Sequence, residues 1–475
     1  MSESFDVLVI GGGTAGLVTA SGCARLGRRV AIIEKAALGG DCLWTGCVPT
    51  KALVASARLA HQMRTAERWG LPAVDPQISP RAVMESMREA RRATAVHDDP
   101  QRFRDLGVDI IEGNARFIGP AEVICGDRRL TAKDIVIATG SRTAVPAVPG
   151  LAESGYLDHA SFLERDEFPS SILIVGGGAI GIEFAQIFRR FGSKVTVVEM
   201  ASSILGTEDS SVVERIGSVL SAEGIDVRTG WKVVSVRREG SGRAAEIEHT
   251  SGATDQVLAD EIFIASGRRG NIEDLGLETA GVRTRGSFIE VDRYLQTSAP
   301  RIWAIGDVHG GLRFTHVAAY EAVKVVRNML FPGRSPVDYS NIPWAFYTDP
   351  EVAHLGLTES EARQTHGSDV SVYEVDLSDV DRAIVDRTTA GFVKLLCDRK
   401  GRLLGAHIVA TSASALIAEL VLAREKGVRI GELAQVIAPY PSLADAVQRA
   451  AAIHYQRLSG GWIGAAGRRI AAWTQ

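Results

Sequence analysis

Two stretches of the chain share one pattern of hydrophobic and polar positions. Residues 6–35 read DVLVIGGGTAGLVTASGCARLGRRVAIIEK, and residues 171–200 read SILIVGGGAIGIEFAQIFRRFGSKVTVVEM. Each begins with a short apolar run typical of a buried parallel strand, and each continues with apolar residues at helical spacing. A second apolar run then ends in an acidic residue. The two stretches align without a gap, so the pattern predicts two copies of one strand–helix–strand unit.

Both units carry the sequence G-x-G-x-x-G directly after the first strand. The glycines are Gly11, Gly13 and Gly16 in the first unit and Gly176, Gly178 and Gly181 in the second. The first glycine permits the tight turn, the second allows close approach of a pyrophosphate, and the third allows helix and strand to pack closely. The acids that end the second strands, Glu34 and Glu199, are placed to bind a ribose hydroxyl pair. The sequence therefore predicts two adenine dinucleotide sites.

The rest of the chain alternates between helical and strand patterns. Residues 45–106 form a long stretch with helical spacing, and apolar strand patterns follow at 108–119 and 121–137. After the second unit come three more strand patterns, and from about residue 341 strands precede helices in a separate segment. This order predicts an α/β protein with two dinucleotide-binding domains and a C-terminal α+β domain.

Composition and charge narrow the function classes. The chain has 475 residues, with 53 basic and 57 acidic side chains, and this balance gives no electrostatic reason to expect nucleic acid binding. Uncharged apolar runs of about 18 residues are absent, which argues against a transmembrane helix. The start of the sequence lacks a basic segment followed by an apolar one, so we expect no secretory signal and a cytoplasmic location.

Two of the five cysteines, Cys42 and Cys47, lie in the glycine-rich segment GGDCLWTGCVPTK at residues 39–51. The segment alone leaves open a metal site, a structural disulfide, buried thiols or a disulfide that is made and broken in a reaction. Zinc needs about four ligands, and neither a second cysteine pair nor an adjacent histidine is present. A close cysteine pair in a reducing compartment is more often catalytic or metal-binding than structural. A redox-active pair is therefore favoured.

The order of these motifs resembles the flavoprotein disulfide reductases. The resemblance includes both glycine-rich units, the C-x4-C segment followed by VPTK, ATG at 138–140, and GRRGN at 267–271. It continues with AIGD at 304–307, THVAAYEA at 315–322 and YTDPEVAHLGLTESEA at 347–362. The resemblance thus covers almost the whole chain.

The resemblance implies a domain layout. Residues 1–150 and 271–337 would form an FAD-binding domain that carries the redox segment. Residues 151–270 would form a domain that binds NAD(P), and residues 338–475 would form the dimerisation domain of a homodimer. In this family the active site is built from both subunits.

The resemblance also implies roles for single residues. The first unit would bind FAD, with Glu34 on the adenosine ribose, and the second would bind the nicotinamide dinucleotide. The cofactor would further contact Asp307, Thr139, Gly140 and Gly267. Lys51 and Glu183 match an ion pair beside the flavin. Cys47 would be the thiol in contact with the flavin, and Cys42 would exchange with the acceptor.

The second unit predicts which nicotinamide dinucleotide is used. Glu199 repels a 2′-phosphate and accepts hydrogen bonds from free 2′ and 3′ hydroxyls, whereas a site for NADP usually provides an arginine. The segment MASSIL after Glu199 contains no arginine. NADH is therefore predicted in preference to NADPH.

One departure from the family pattern concerns the electron acceptor. Members that reduce disulfides use a histidine followed by proline, with a glutamate five residues after the histidine, from the partner subunit. Here APYPSLADAVQ places Tyr440 and Asp445 at those positions. A histidine near pKa 6.5 transfers protons well at neutral pH, whereas a tyrosine near 10 does so poorly. Weak reduction of lipoamide or glutathione disulfide is therefore expected.

A tyrosine in this region is similar to that of mercuric reductases, but their C-terminal vicinal cysteine pair is absent from the sequence printed here. The main hypothesis is an FAD-dependent oxidoreductase that cycles Cys42 and Cys47 to reduce a disulfide, Hg(II) or another small thiol-reactive acceptor. The alternatives are direct electron transfer to a quinone, a dihydrolipoamide dehydrogenase activity, and a protein that binds dinucleotides without turnover. The basic and apolar residues 460–475 are more typical of a packing tail than of a peripheral membrane contact.

Overall fold

The first glycine-rich unit forms the centre of a parallel sheet. The computed structural model describes residues 2–460, and the predicted tail at 460–475 lies outside them except for its first residue. Up to residue 143 the elements are β1 (Glu3–Ile10), α1 (Thr14–Arg25), β2 (Val30–Glu34), α2 (Gly40–Trp44), α3 (Cys47–Arg64), α4 (Pro80–Ala95), α5 (Pro100–Asp105), β3 (Val108–Glu112), β4 (Ala115–Gly119), β5 (Glu122–Cys125), β6 (Arg128–Ile137) and β7 (Ser141–Thr143). Strand order is β3-β2-β1-β6-β5-β4, and the apolar runs are buried because helices cover the parallel strands.

The second unit builds a sheet of the same kind. Its elements are α6 (Leu151–Ser154), α7 (His159–Phe162), β8 (Ser171–Val175), α8 (Ala179–Arg190), β9 (Lys194–Glu199), α9 (Ser210–Ala222), β10 (Asp226–Thr229), β11 (Trp231–Glu239), β12 (Gly242–His249), β13 (Thr254–Ala259), β14 (Glu261–Ile264) and β15 (Arg268–Gly270). Four parallel strands follow the order β10-β9-β8-β14, and β11, β12 and β13 form a separate antiparallel sheet. The short strand β15 pairs with β7, so the chain re-enters the region of the first sheet there.

The segment after the second unit completes the first sheet. It contains β16 (Thr284–Arg285), β17 (Phe288–Ile289), β18 (Ile302–Ala304) and α10 (Thr315–Leu330). Strand β18 pairs in parallel with the end of β6, which brings Asp307 next to the first glycine-rich turn. The first sheet is thus assembled from two separate parts of the chain.

The C-terminal segment is an antiparallel sheet with helices. Its elements are β19 (Pro343–Phe346), β20 (Glu351–Gly356), α11 (Glu359–His366), β21 (Ser371–Asp376), α12 (Asp381–Val385), β22 (Phe392–Cys397), β23 (Leu403–Ala410), α13 (Ala413–Glu425), α14 (Ile430–Leu433) and α15 (Ala444–Gly460). The strand order is β19-β20-β23-β22-β21. The α/β class and the C-terminal α+β arrangement predicted from the sequence are confirmed.

The helical stretch predicted at 45–106 differs from the expectation. It consists of α3, α4 and α5, and the residues between α3 and α4 include a short 3-10 turn at Ala66–Trp69 and an irregular segment to Ser79. Pro72, Pro76 and Pro80 lie in or directly after this segment, and proline restricts helix continuation. Ser79 then caps α4 by accepting a hydrogen bond from the Ala82 amide at 3.4 Å.

One hydrophobic core joins three parts of the fold. It includes Leu53 of α3, Phe184 and Phe188 of α8, and Val352 and Val409 of the C-terminal sheet. Full burial of side chains of this size stabilises the fold by about 1.5–3 kcal/mol each. Within residues 2–460, no helix is long and apolar enough to cross a membrane. The shared core holds α3 against α8, and that contact places the charged pair of the site.

Candidate active site

A cavity of about 710 Å³ lies where the first sheet, α3, α8 and the C-terminal segment meet. Gly13 and Asp307 line one part of it, and Cys42, Cys47 and Lys51 line another. Additional lining residues come from the second unit and from the strand β19. The topology thus brings together residues that are widely separated in the sequence, and both predicted cysteines reach the same cavity.

The two cysteines occupy adjoining helix ends. Cys42 lies in the short helix α2, and Cys47 is the first residue of α3. Gly39 and Gly40, which precede Cys42, have φ of +101° and +59°, so side chains are disfavoured in this turn. Both cysteines are free thiols in this structure. The α3 N-terminus favours negative charge, so Cys47 is the better placed of the two to become a thiolate.

The surroundings separate the acidities of the two thiols. The hydrogen bond that Cys47 accepts from Cys42 lowers the pKa of Cys47 to about 6, against the opposing effect of burial. A contact with Thr315 Oγ1 at 3.4 Å and the charge of Lys51 lower the pKa further. The same hydrogen bond raises the pKa of Cys42. At neutral pH the reduced pair is therefore one thiolate at Cys47 and one thiol at Cys42.

Lys51 and Glu183 form the predicted pair. The Lys51 ammonium donates to Glu183 Oε2 at 2.7 Å, and the Tyr347 amide donates to Glu183 Oε1 at 2.7 Å. Burial opposes the charge on Lys51, but the charge and hydrogen bond of Glu183 outweigh burial and raise the pKa of Lys51. Lys51 lies one helical turn after Cys47 on α3. It is a fixed positive charge beside the thiolate.

We expect Lys51→Met to raise the pKa of Cys47 from about 6 by one unit or more, because an opposite charge nearby favours the thiolate. The measurement is the pH dependence of iodoacetamide alkylation in the NADH-reduced enzyme. Since the single change leaves Glu183 buried without its partner, which costs about 3–5 kcal/mol, Lys51→Met with Glu183→Gln is measured as well. Lys133→Met, which removes an exposed pair with Asp6, is the control. An unchanged alkylation pKa in the double variant contradicts the assignment.

A charged network behind Cys42 was not predicted from the sequence. Asp41 accepts from Arg268 at 2.6 Å and contacts His159 Nε2 at 3.2 Å, while His159 Nδ1 contacts Thr143 Oγ1 at 3.2 Å. Although burial opposes ionisation, the bond with His159 and the charge of Arg268 hold the pKa of Asp41 well below its usual range. The network fixes the residue next to Cys42. Arg268 lies in the motif GRRGN, but no sequence signal identifies His159.

The first glycine-rich turn fits a dinucleotide. A Cβ at Gly16 would lie 1.9 Å from the Gly11 carbonyl oxygen, so helix and strand are as close as the fingerprint requires. Glu34 accepts from the Gly12 amide at 2.6 Å and from the Ala36 amide at 2.9 Å. A second cavity of about 390 Å³ opens at Glu34 and provides room for an adenosine. These residues fit the adenosine end of FAD, and the larger cavity would then hold its flavin end.

The second glycine-rich turn repeats this geometry. A Cβ at Gly181 would lie 2.0 Å from the Gly176 carbonyl oxygen, and Glu199 accepts from Gly177 and Ala201 amides at 2.6 and 2.8 Å. Gly178 caps the N-terminus of α8 in an extended conformation. The first turn of α8 lines the larger cavity, which the two cysteines also line, so a dinucleotide on this unit would have access to them.

Two of the other predicted cofactor residues line the larger cavity, and two are chain neighbours of its lining residues. Asp307 and Gly140 line it directly, and Asp307 accepts from Ser141 Oγ at 2.5 Å. Thr139 donates to the Asn271 carbonyl at 2.7 Å, which ties the two parts of the first sheet together. Gly267 has φ of +131° and precedes Arg268 at the cavity wall.

Tyr440 and Asp445 are not brought to this cavity by their own chain. Tyr440 is 72% exposed and donates to Asp381 Oδ2 at 2.9 Å. This hydrogen bond to a carboxylate raises the pKa of Tyr440. Asp445 accepts from Arg449 at 2.5 Å. Both residues lie on the surface of the C-terminal segment.

Known proteins match this arrangement over nearly the whole chain. Residues 5–322 match the pyridine nucleotide-disulphide oxidoreductase family, and residues 342–451 match its dimerisation domain. The chain belongs to this family. It is 34% identical to dihydrolipoyl dehydrogenase of Bacillus subtilis, covering 96% of this chain and all of the relative. It is also 34% identical to mercuric reductase of Streptomyces lividans, covering 94% of this chain and 95% of the relative.

A solved structure is similar over the same length. The Cu(II) complex of the HOCl-induced flavoprotein disulfide reductase RclA from Escherichia coli superposes with a TM-score of 0.85 at 29% identity. The alignment covers 95% of this chain and 99% of RclA. Members of the family are FAD-containing, NAD(P)H-dependent oxidoreductases, and the predicted enzyme class and cofactors are confirmed at that level.

Proposed function

We propose that this protein is a homodimeric, NADH-dependent flavoenzyme that cycles Cys42 and Cys47 and reduces a thiol-reactive metal ion, with Hg(II) as the first candidate. The observation that carries the proposal is Tyr440, an exposed tyrosine with a raised pKa, at the family position of a proton-transferring histidine. The match of residues 342–451 to a dimerisation domain supports the homodimer.

The residues support a route for the electrons. FAD, held by the first glycine-rich unit, would supply the redox group through which the electron pair of NADH reaches the Cys42–Cys47 disulfide. Breaking the sulfur–sulfur bond leaves Cys47 as a thiolate beside Lys51 and Cys42 as a thiol held by Cys47. An acceptor ion binds both sulfurs and displaces the Cys42 proton. The overall balance is NADH plus Hg²⁺ giving NAD⁺, H⁺ and Hg⁰.

The proton requirement separates a metal ion from a disulfide acceptor. A disulfide substrate releases a thiolate that must be protonated, and a positioned acid accelerates such a step about 10²–10⁴-fold. A metal ion takes electrons from sulfur ligands without a protonated leaving group. The Tyr440 hydroxyl donates a hydrogen bond to Asp381 and is a poor acid, so a metal ion is favoured over a disulfide as the acceptor.

The two histidines that line the cavity differ in how many ring nitrogens are engaged. His159 uses both ring nitrogens, with Thr143 and Asp41. His316 contacts the Pro343 carbonyl through Nε2 at 2.7 Å and stacks on Phe314. His316 is therefore the residue to replace if a disulfide proves to be turned over rapidly.

The deciding experiment is an acceptor panel with the purified, FAD-loaded enzyme. NADH oxidation is followed anaerobically with Hg(II), Cu(II), lipoamide, glutathione disulfide and a quinone. We expect kcat/KM for Hg(II) to exceed that for lipoamide by about 10²-fold or more. Faster lipoamide turnover would overturn the proposal and favour a dihydrolipoyl dehydrogenase activity, the second candidate, to which the full-length similarity to the Bacillus subtilis enzyme points.

Cu(II) is a further arm of the panel because the RclA structure is described as a Cu(II) complex. If Cu(II) is the acceptor, each NADH would reduce two ions. Turnover with Cu(II) but not Hg(II) would retain the metal-ion class and change the ion.

We further propose that NADH is preferred over NADPH by about 10²-fold in kcat/KM. The Glu199 carboxylate at the end of β9 repels a 2′-phosphate, and residues 200–205 supply no arginine. Glu199→Ala should reduce the preference by raising NADPH turnover, whereas Glu246→Ala, an exposed glutamate of β12, should not. A wild-type enzyme that prefers NADPH would refute this assignment.

A further inference from the structure

A second cluster of ionisable side chains lies outside the redox cavity. His354 of β20 and His407 of β23 are direct cross-strand partners, so their side chains share one face of the C-terminal sheet. Glu208, from the loop before α9, lies against them. One ligand atom from each of the three lies within 4.8 Å of the others, and all three residues are buried.

The hydrogen bonds fix the protons of the two rings. His354 Nε2 lies 2.8 Å from the Gly356 carbonyl, and His407 Nε2 lies 3.0 Å from the Leu357 carbonyl. A carbonyl can only accept, so both Nε2 atoms carry hydrogen. In neutral rings the two Nδ1 atoms are then left as lone pairs.

These lone pairs lack suitable partners. His354 Nδ1 lies 3.0 Å from the Glu208 carboxylate, which is itself an acceptor. Among the described residues, His407 Nδ1 has no hydrogen-bond partner, although the ring is fully buried. A buried polar atom without a partner is costly, and two acceptors at 3.0 Å repel unless a cation lies between them.

The local charges also favour a cation. Glu208 accepts from Trp344 Nε1 at 2.8 Å, but this donor is neutral. The nearby buried ammonium of Lys394 already pairs with Asp209 at 2.8 Å and with Glu359 at 2.7 Å. The Glu208 charge is therefore not compensated by this neighbouring lysine.

We propose that Glu208, His354 and His407 bind a divalent transition-metal ion of the Zn²⁺ class. Two imidazole nitrogens and one carboxylate oxygen are a donor set that suits zinc, with a fourth position for water. An Nε2–H bonded to a backbone carbonyl is also the usual way in which a metal-binding histidine is held. The ion would neutralise Glu208 and use the Nδ1 atoms that lack partners.

The position of the site gives it a structural consequence. It joins the loop before α9 to β20 and β23, and the Trp344 ring stacks on His354 with 3.7 Å between ring centroids. Trp344 also lines the redox cavity. A bound ion would therefore stabilise the contact between the second unit and the C-terminal segment and fix one wall of the cavity. The proposal does not depend on which acceptor the enzyme reduces.

The test uses the full-length, FAD-loaded enzyme in which Cys42→Ser and Cys47→Ser remove the redox thiols as competing ligands. The protein is treated with a chelator, dialysed against micromolar Zn²⁺ and washed, and bound zinc is counted by mass spectrometry. We expect one zinc per chain and a rise in Tm of a few degrees on addition of zinc. Less than 0.1 zinc per chain would overturn the proposal and assign the cation as a proton on His354.

Glu208→Gln tests the ligand set while keeping hydrogen-bond partners for Trp344 and His354. The glutamine can accept from Trp344 and donate to His354 Nδ1, so the fold is retained while the charged ligand is lost. In the same double-serine background, zinc should fall to below 0.1 per chain and the zinc-dependent Tm shift should vanish. Glu246→Gln, on the exposed face of β12, is the matched control and should keep one zinc. Zinc that persists in Glu208→Gln places the ion elsewhere and refutes the site.

Discussion

Replacing either redox cysteine should lower acceptor reduction by about 10³-fold or more, while NADH still reduces the bound flavin. Loss of a nucleophile that acts as part of a unit removes nearly all of the rate that the unit provides. The hydride step from NADH does not use the thiols, so it should survive in Cys42→Ser and in Cys47→Ser. Stopped-flow spectra with NADH, followed by addition of Hg(II), separate the two half-reactions.

The two variants should differ from each other in a way that the pKa directions predict. In Cys42→Ser the remaining Cys47 should still ionise, because the serine hydroxyl can donate a hydrogen bond to its thiolate. A long-wavelength charge-transfer band between the Cys47 thiolate and oxidised FAD should appear as the pH rises through the Cys47 pKa of about 6, because the band requires the ionised thiol. In Cys47→Ser the hydrogen bond and charge of Cys47 are lost, but burial still raises the pKa of Cys42, so the band should be absent at neutral pH.

A third cysteine provides the control for thiol replacement as such. Cys125 is buried in the first sheet, away from the larger cavity, and Cys125→Ala should keep full acceptor turnover per folded enzyme. Unchanged turnover in Cys42→Ser would show that electrons leave the flavin without the thiols. That outcome would favour the quinone alternative and would refute the role proposed for the cysteine pair.

The parts of the site that the sequence predicts are those held by repeated local geometry. The two glycine-rich turns require positive φ at Gly11 and Gly176 and close packing at Gly16 and Gly181, so only glycine fits and the pattern is readable. The ends of the second strands then place the acids at the same point in each unit. The approach of Lys51 to Glu183, 132 residues apart, could be expected only from the family resemblance, since no local pattern links α3 to α8.

Other features arise from tertiary contacts that leave no periodic signal. His159 enters the site because a short helix of the second unit packs against Asp41, and nothing in the surrounding sequence indicates this. His354 and His407 meet because β20 and β23 pair in one particular register, which hydrophobic alternation alone does not define. The apolar pattern does not predict the break after α3 either, because apolar residues at helical spacing lie on both sides of the irregular segment that precedes Pro80.

Restoring the histidine–glutamate pair should convert the enzyme toward disulfide reduction. We expect Tyr440→His with Asp445→Glu to raise kcat/KM for lipoamide by about 10²-fold or more, the usual contribution of a positioned acid. Tyr440 is 72% exposed, so the substitution disturbs little packing. The longer glutamate side chain can extend past Arg449, which now binds Asp445. The measurement is lipoamide-dependent NADH oxidation by the dimeric, FAD-loaded variant.

The pH profile shows whether a gained rate comes from the new histidine. Disulfide reduction uses the protonated ring as acid, so the rate should fall as the pH rises through about 6.5. Oxidation of dihydrolipoamide uses the neutral ring as base, so it should rise over the same range. Tyr440→Phe tests loss of the hydroxyl alone and should bring no gain, and Tyr455→His places a histidine at another exposed tyrosine. Equal lipoamide rates in all three variants would mean that residue 440 does not limit proton transfer, and the preference for a metal ion would then lose its physical basis.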